Sequence, residues 1–225
     1  MKNIIFDADD TLWENQLFFN EFADYFKKIL VENNIDVEQG CKVLLDFDEQ
    51  SYKRHEFGNF YYIQSMIKTL KHFNIKSDDI FQKIKNKHDE LFEHPPVLFD
   101  GVEEIINYLH NKNIKLYILT KGYYPVQMKK IEESCIEKFF VSVIISTRKN
   151  VQVYKNIISR YNLDEENTWM IGNSPKSDII PALEAGMKAI YIPSNSLWEL
   201  EHEELDYNNE RLCKIESIKN LKEIF

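Results

Sequence analysis

Asn3-Ile4-Ile5-Phe6-Asp7 opens the chain with a short apolar run that ends in an acid. A run without polar alternation suits a strand buried on both faces, as in the interior of a parallel sheet. An acid at the carboxyl end of such a strand stands where open parallel sheets bind their ligands.

Working outward, the period changes. From about Leu17 to Glu93 the apolar residues fall at helical spacing: Phe18, Phe22, Phe26 and Ile29 on one stripe, Phe60, Ile63, Ile67 and Leu70 on a second, Ile80, Ile84 and Leu91 on a third. Asp36-Val37-Glu38-Gln39 resembles a capping box, and Ser77-Asp78-Asp79 gives an N-cap followed by first-turn acids. Pro95-Pro96 cannot continue a helix and ends the helical stretch.

Beyond it, Val102, Ile105, Ile106 and Leu109 line a helix that leads into the strand Lys115–Thr120. The alternation then repeats, with strands near Val141–Ser146, Thr168–Gly172 and Ala189–Ile192 and helices near 125–134, 150–161 and 178–185. Strands alternating with helices imply right-handed crossovers and a doubly wound parallel sheet. The fold expected is therefore α/β, a doubly wound parallel sheet with a helical bundle inserted after its first strand. Residues 198–210 read as an acidic surface loop or short helix.

The 225 residues are 44% hydrophobic and 29% charged, the usage of a compact globular protein. A formal net charge of -9 repels nucleic-acid phosphates and anionic membranes, and no dense Lys/Arg block offsets it. The expected partner is a small molecule, with no nucleic acid, membrane or protein partner implied. Cys41, Cys135 and Cys213 are widely spaced, without a CxxC pair, which suits a reducing compartment. With a strand beginning directly after Met1-Lys2 and no apolar run long enough to span a bilayer, the expected location is cytoplasmic.

Four polar clusters follow successive strands: Asp7-Ala8-Asp9-Asp10-Thr11, Thr120-Lys121-Gly122, Lys149, and Gly172-Asn173-Ser174-Pro175-Lys176-Ser177-Asp178. Any one of them could merely cap the next helix. Together they supply carboxylates for a hard cation, donors for phosphate oxygens and a lysine to balance charge on a transferring phosphoryl group.

In these motifs the sequence resembles the haloacid dehalogenase superfamily, with IIFDADDTLW as the first, YILTKG as the second, Lys149 as the third and MIGNSPKSD as the fourth. The resemblance covers essentially the whole chain. It implies a Rossmann-like catalytic core of residues 1–14 and 97–225 and a helical cap of residues 15–96 that closes over the site. It further implies a magnesium-dependent phosphatase acting on a small phosphorylated metabolite. Asp7 would attack phosphorus, and Asp9 would serve as acid and then base. Thr120 and the Lys121 backbone NH would grip the phosphate, and Lys149 would orient Asp7. Mg2+ would be held by Asp7, the Asp9 carbonyl, Asp178 and Asn173. Phosphomutase or haloacid dehalogenase chemistry, or a non-catalytic phospholigand-binding module, stay open as alternatives.

Two departures stand out. Asn173 takes a position where most of the family has an aspartate, which makes Asp178 the firm metal ligand and Asn173 a supporting one. The third motif lacks the common Lys-Pro pair, which leaves Lys155 as a rival to Lys149; Lys155 lies within a helical stripe and Lys149 in the loop before it.

The remaining polar residues read more plainly. Asp10 and Thr11 are expected to bond backbone amides of their turn, Trp13 to pack beside a hinge, and His88 to pack on the apolar side of its helix. Lys53-Arg54-His55-Glu56-Phe57-Gly58 could select the leaving group or be a solvated turn. Neither a G-x-G-x-x-G loop, a Walker loop nor zinc-type His/Cys spacing occurs.

Overall fold

The computed structural model describes residues 1–54, 58–194, 197 and 201–225. The chain divides into two compact units, one formed by Met1–Gln16 with Pro95–Phe225 and the other by Leu17–His94.

The first unit is built on a sheet of β1 (Asn3–Phe6), β2 (Lys115–Lys121), β3 (Ser142–Ser146), β4 (Thr168–Gly172), β5 (Lys188–Tyr191) and β6 (Leu212–Lys214). Its order is β3-β2-β1-β4-β5-β6, and every pairing is parallel. β1 is buried throughout, as its unbroken apolar run requires. Its side chains nonetheless divide by the period of two: Ile4 and Phe6 join Leu116, Ile118 and Ile171 in one core, whereas Ile5 joins Tyr117, Leu119 and Met170 in another.

Helices cover both faces. α5 (Val102–Asn111) buries Val102, Ile105, Ile106 and Leu109 in the first core, and α7 (Val151–Tyr161) buries Tyr154 and Ile157 in the second. α6 (Tyr124–Glu133), α8 (Ile180–Glu184) and α9 (Leu221–Ile224) complete the unit. From β1 the chain passes outward to β2 and β3, then crosses back to β4 on the other side of β1. That reversal makes the carboxyl end of β1 a topological switch point, the place such sheets leave open for ligands.

The second unit contains α1 (Gln16–Glu32) from its second residue, then α2 (Val37–Lys53), α3 (Asn59–His72) and α4 (Asp78–Phe92). Phe22, Phe26, Ile29, Leu30, Met66, Leu70, Ile84 and Leu91 share its core. The Ser77 hydroxyl accepts from the Ile80 amide at 3.4 Å as the N-cap of α4, and Asp36 accepts from the Gln39 amide at 2.9 Å.

Two expectations are corrected. The stripe assigned to α3 is rotated: Phe60 is exposed, and the buried face is Ser65, Met66, Thr69 and Leu70. Two hydroxyls fit there because Ser65 and Thr69 donate to the Tyr61 and Ser65 carbonyls, at 3.1 and 2.9 Å. The sheet also carries a sixth strand: β6 pairs with β5, yet its three residues are too few and too exposed to show a period. Among the described residues, no helix is long and apolar enough to cross a membrane.

Candidate active site

The pairing of β1 with β4 continues one residue past the strand, because the Asp7 amide donates to the Ile171 carbonyl at 2.9 Å. This fixes the backbone of Asp7 and leaves its buried carboxyl at the switch point. Lys149 Nζ, itself buried, donates to Asp7 Oδ1 and, at 2.7 Å, to Asp178 Oδ1. Thr11 Oγ1 donates to Asp7 Oδ2 at 2.9 Å and lies 3.2 Å from Asn173 Oδ1. Asp7, Lys149, Asp178, Thr11 and Asn173 therefore form one connected cluster.

The fourth motif positions its acid through a wide turn. The Ser174 carbonyl accepts from the amides of Asp178 and Ile179, at 3.0 and 3.1 Å, and the second of these gives Pro175–Ile179 its π character. Ser174 Oγ accepts from the Ser177 amide at 2.9 Å as the N-cap, and Asp178 Oδ2 accepts from the Ser174 amide at 3.0 Å. Gly172 leaves the room that Asp178 needs, since a Cβ there would lie 2.3 Å from Asp178 Oδ2.

Lys149 precedes Asn150, whose side chain caps α7 by accepting from the Val153 amide at 3.1 Å. Lys155 is exposed on α7. Thr120 is buried near the end of β2, and its hydroxyl has no hydrogen-bond partner among the described residues. Lys121, which ends β2, donates from Nζ to Glu201.

Asp9 faces a separate set of donors. Its Oδ1 accepts from Trp13 Nε1 at 2.7 Å and Lys130 Nζ at 2.9 Å, and its Oδ2 from Gln127 Nε2 at 2.9 Å. Lys130 also donates to Asn15 Oδ1 at 2.7 Å. Asp10, in a left-handed conformation at φ 62°, accepts from the amides of Asn15 and Gln16 at 3.0 and 2.8 Å. It thus bonds the backbone at the start of α1, as its expected turn role requires.

The electrostatics follow from this arrangement. Burial pushes the Asp7 carboxyl up to about 7; the Lys149 ammonium opposes the rise, and the Asp178 carboxylate adds to it. Burial also draws Lys149 down, but the Asp178 and Asp7 carboxylates outweigh it and hold its pKa above the ordinary lysine value. For Asp9, burial is outweighed by Lys130, Gln127 and Trp13, and its pKa is lowered. Burial raises Asp10 to about 6.

Asp7 and Asp178 share one ammonium, which leaves a buried carboxylate without full compensation. The neighbouring oxygens are those of the Asn173 side-chain amide, which accepts from Thr11, and of the Thr11 hydroxyl. Among the described residues no group of three or more His, Cys, Asp or Glu side chains is gathered for a metal. An all-oxygen set with two carboxylates still suits magnesium, which takes one or two carboxylates and completes its shell with water and phosphate.

Several contributors escape sequence reading. Thr11, expected to bond turn amides, instead reaches Asp7 and Asn173. Gln127 and Lys130 are polar residues spaced i, i+3 on α6, the one available hint that they share a face. Glu201 lies in a segment to which the sequence assigned no chemistry. Of the stretch considered for leaving-group selection, His55, Glu56 and Phe57 lie outside the described residues.

Comparison with known proteins agrees with this architecture. The glyceraldehyde 3-phosphate phosphatase of Methanothermobacter thermautotrophicus is 26% identical, over 100% of this chain and 99% of its own. A haloacid dehalogenase-like hydrolase from Xanthomonas campestris superposes with a TM-score of 0.84 at 23% identity, covering 100% of this chain and 94% of that one. The HAD hydrolase YfnB of Bacillus subtilis, solved bound to magnesium, gives 0.64 at 18% identity over 99% and 97% of the two chains. The model of the haloacid dehalogenase-like hydrolase family matches residues 1–186, and the chain belongs to that family.

Proposed function

We propose that the protein hydrolyses small phosphate monoesters, with Asp7 as the nucleophile and Mg2+ as cofactor. The observation that carries this reading is the buried cluster at the end of β1, in which Lys149 and Thr11 between them bond both oxygens of Asp7. Two donors on one carboxylate fix the direction of its lone pairs, so that attack on phosphorus starts from an oriented group.

The Thr120 hydroxyl, buried and without a partner among the described residues, is available to a phosphate oxygen. The Lys121 backbone NH is assigned to the same grip. Lys149 holds Asp7 in place and balances charge as phosphorus is approached. Asp9 is assigned protonation of the leaving oxygen and then deprotonation of the hydrolytic water. Its three donors favour the ionised form, which suits the second task directly; the first requires a proton to be taken up at Asp9 Oδ1 or Oδ2.

Asp7, Asp178, Asn173 and the Asp9 carbonyl would hold the magnesium ion, which supplies positive charge that lets an anionic substrate approach an anionic nucleophile. The helical part, residues 15–96, is assigned the cap's role of choosing the leaving group. The name of the Methanothermobacter relative makes glyceraldehyde 3-phosphate the first substrate to try.

The test is phosphate release from p-nitrophenyl phosphate with and without Mg2+. We expect metal-dependent turnover that falls by at least about a thousandfold in Asp7→Asn. Lack of turnover between mildly acidic and mildly alkaline pH, or full activity in Asp7→Asn, would overturn the reading.

A further inference from the structure

Glu201 spans the two strand ends that flank the nucleophile. One of its carboxylate oxygens accepts from Lys121 Nζ at the end of β2, and the other accepts from Ser174 Oγ, just beyond β4, at 2.6 Å. β1 runs between β2 and β4 in the sheet and ends at Asp7. A carboxylate bonded to both neighbours of β1 therefore bridges across the end of that strand. Its side chain is only 13% exposed, so the charge is set into the site region and not spread into solvent.

The consequence is a matter of charge. Lys149 is committed to Asp7 and Asp178, Lys130 to Asp9, and Lys121 to Glu201. Each of these three lysines already has a carboxylate partner. A phosphoryl group can be met by the Thr120 hydroxyl, backbone donors and a metal. A second anion on the leaving group would instead meet Glu201, with the ammonium of Lys121 already engaged.

We propose that Glu201 is a specificity-determining residue, which restricts the enzyme to phosphate esters whose leaving group is uncharged and rejects those bearing a carboxylate or second phosphate. This rests on the phosphatase reading above and narrows its substrate class.

The matched probes are glycerol 3-phosphate and 3-phosphoglycerate, whose leaving groups differ by a hydroxymethyl against a carboxylate. Like-charge repulsion at close range should make kcat/KM at least about tenfold higher for the first, almost wholly through KM. In Glu201→Gln the ratio should fall to about twofold, while Glu201→Asp, which keeps the charge, retains most of it. Equal use of the two esters by the wild-type protein, or an unchanged ratio in Glu201→Gln, overturns the proposal.

Calorimetric titration of both compounds in an Asp7→Asn background separates the two readings. If the wild-type protein hydrolyses neither ester, turnover of p-nitrophenyl phosphate still decides the phosphatase reading, and the Kd ratio with and without Glu201→Gln decides on Glu201. Should Glu201→Gln show no cooperative melt, the Kd values of Asp7→Asn alone decide: tighter glycerol 3-phosphate supports the proposal, and equal values overturn it.

Discussion

At the scale of single residues, the site is built against its own stability. Two buried carboxylates, Asp7 and Asp178, face one buried ammonium; burial, with the Asp178 carboxylate adding to it and Lys149 opposing it, pushes the Asp7 carboxyl up to about 7. The folded-state value lies above the ordinary value of 3.8. Ionising Asp7 therefore costs stability: the cost is absent below pH 4, grows between pH 4 and 7, and is complete above pH 7. Asp7→Asn removes the uncompensated charge and leaves Lys149 paired with Asp178. We expect the metal-free variant to be more stable than wild type by about 1–4 kcal/mol at pH 8, with the gain fading towards pH 4. Chemical denaturation of both proteins in chelator at the two pH values measures this; a variant less stable than wild type at pH 8 contradicts it. The strand-end residues of this site were legible in the sequence because apolar runs terminating in polar groups mark them locally. Thr11 was not, since a hydroxyl that bonds its turn and one that reaches 162 residues along the chain to Asn173 look alike in sequence. Glu201 was hidden for the same reason: its partners lie 80 and 27 residues away.

At the scale of elements, the legible parts were those whose period is long enough to read. β1 and β2 are buried along most of their length, and α5 and α7 bury one face each, so pattern and structure agree. The expected face of α3 shares only Leu70 with the buried one, because apolar residues were given priority over Ser65 and Thr69, whose hydroxyls are satisfied within their own helix. β6 is defined by pairing with β5 and not by any pattern of its own. The junction of β4 with the π-type turn is the element on which the chemistry depends most closely. Gly172 there is in ordinary strand pairing, so it is required for space: a Cβ would lie 2.3 Å from Asp178 Oδ2 and 2.5 Å from its Cγ. Asp178 is buried and bonded to Lys149 and the Ser174 amide, so it cannot move aside freely. Gly172→Ala should therefore cost about 1–3 kcal/mol and lower activity by displacing Asp178 from Lys149. The denaturation midpoint and kcat together check this, and a variant with both at wild-type values shows that the turn yields without cost.

At the scale of the whole molecule, the sign of the long-range field can be set against the chemistry. The protein carries a formal net charge of -9, and the proposed substrate is an anion. Enzymes for anionic substrates often gather lysines into a local positive funnel, and added salt then slows capture by screening the attraction. Here Lys121, Lys130 and Lys149 are each bonded to a carboxylate, so these three do not form such a funnel. Beyond contact distance the incoming ester senses the net negative field, and on the proposed reading its attraction acts at short range, from a bound Mg2+ and the donors at the end of β1. Screening should then help. At saturating Mg2+, raising monovalent salt from about 0.01 M to 0.15 M shortens the Debye length from about 30 to 8 Å and weakens that repulsion. We expect kcat/KM for a small phosphate ester to rise by about twofold or more over this range, with kcat unchanged because the buried chemistry at Asp7 acts over distances shorter than the Debye length. Initial rates at low substrate across the salt series give the answer. A fall in kcat/KM would show that lysines outside the three paired ones steer the substrate, and would place the positive potential of this enzyme elsewhere than at its strand ends.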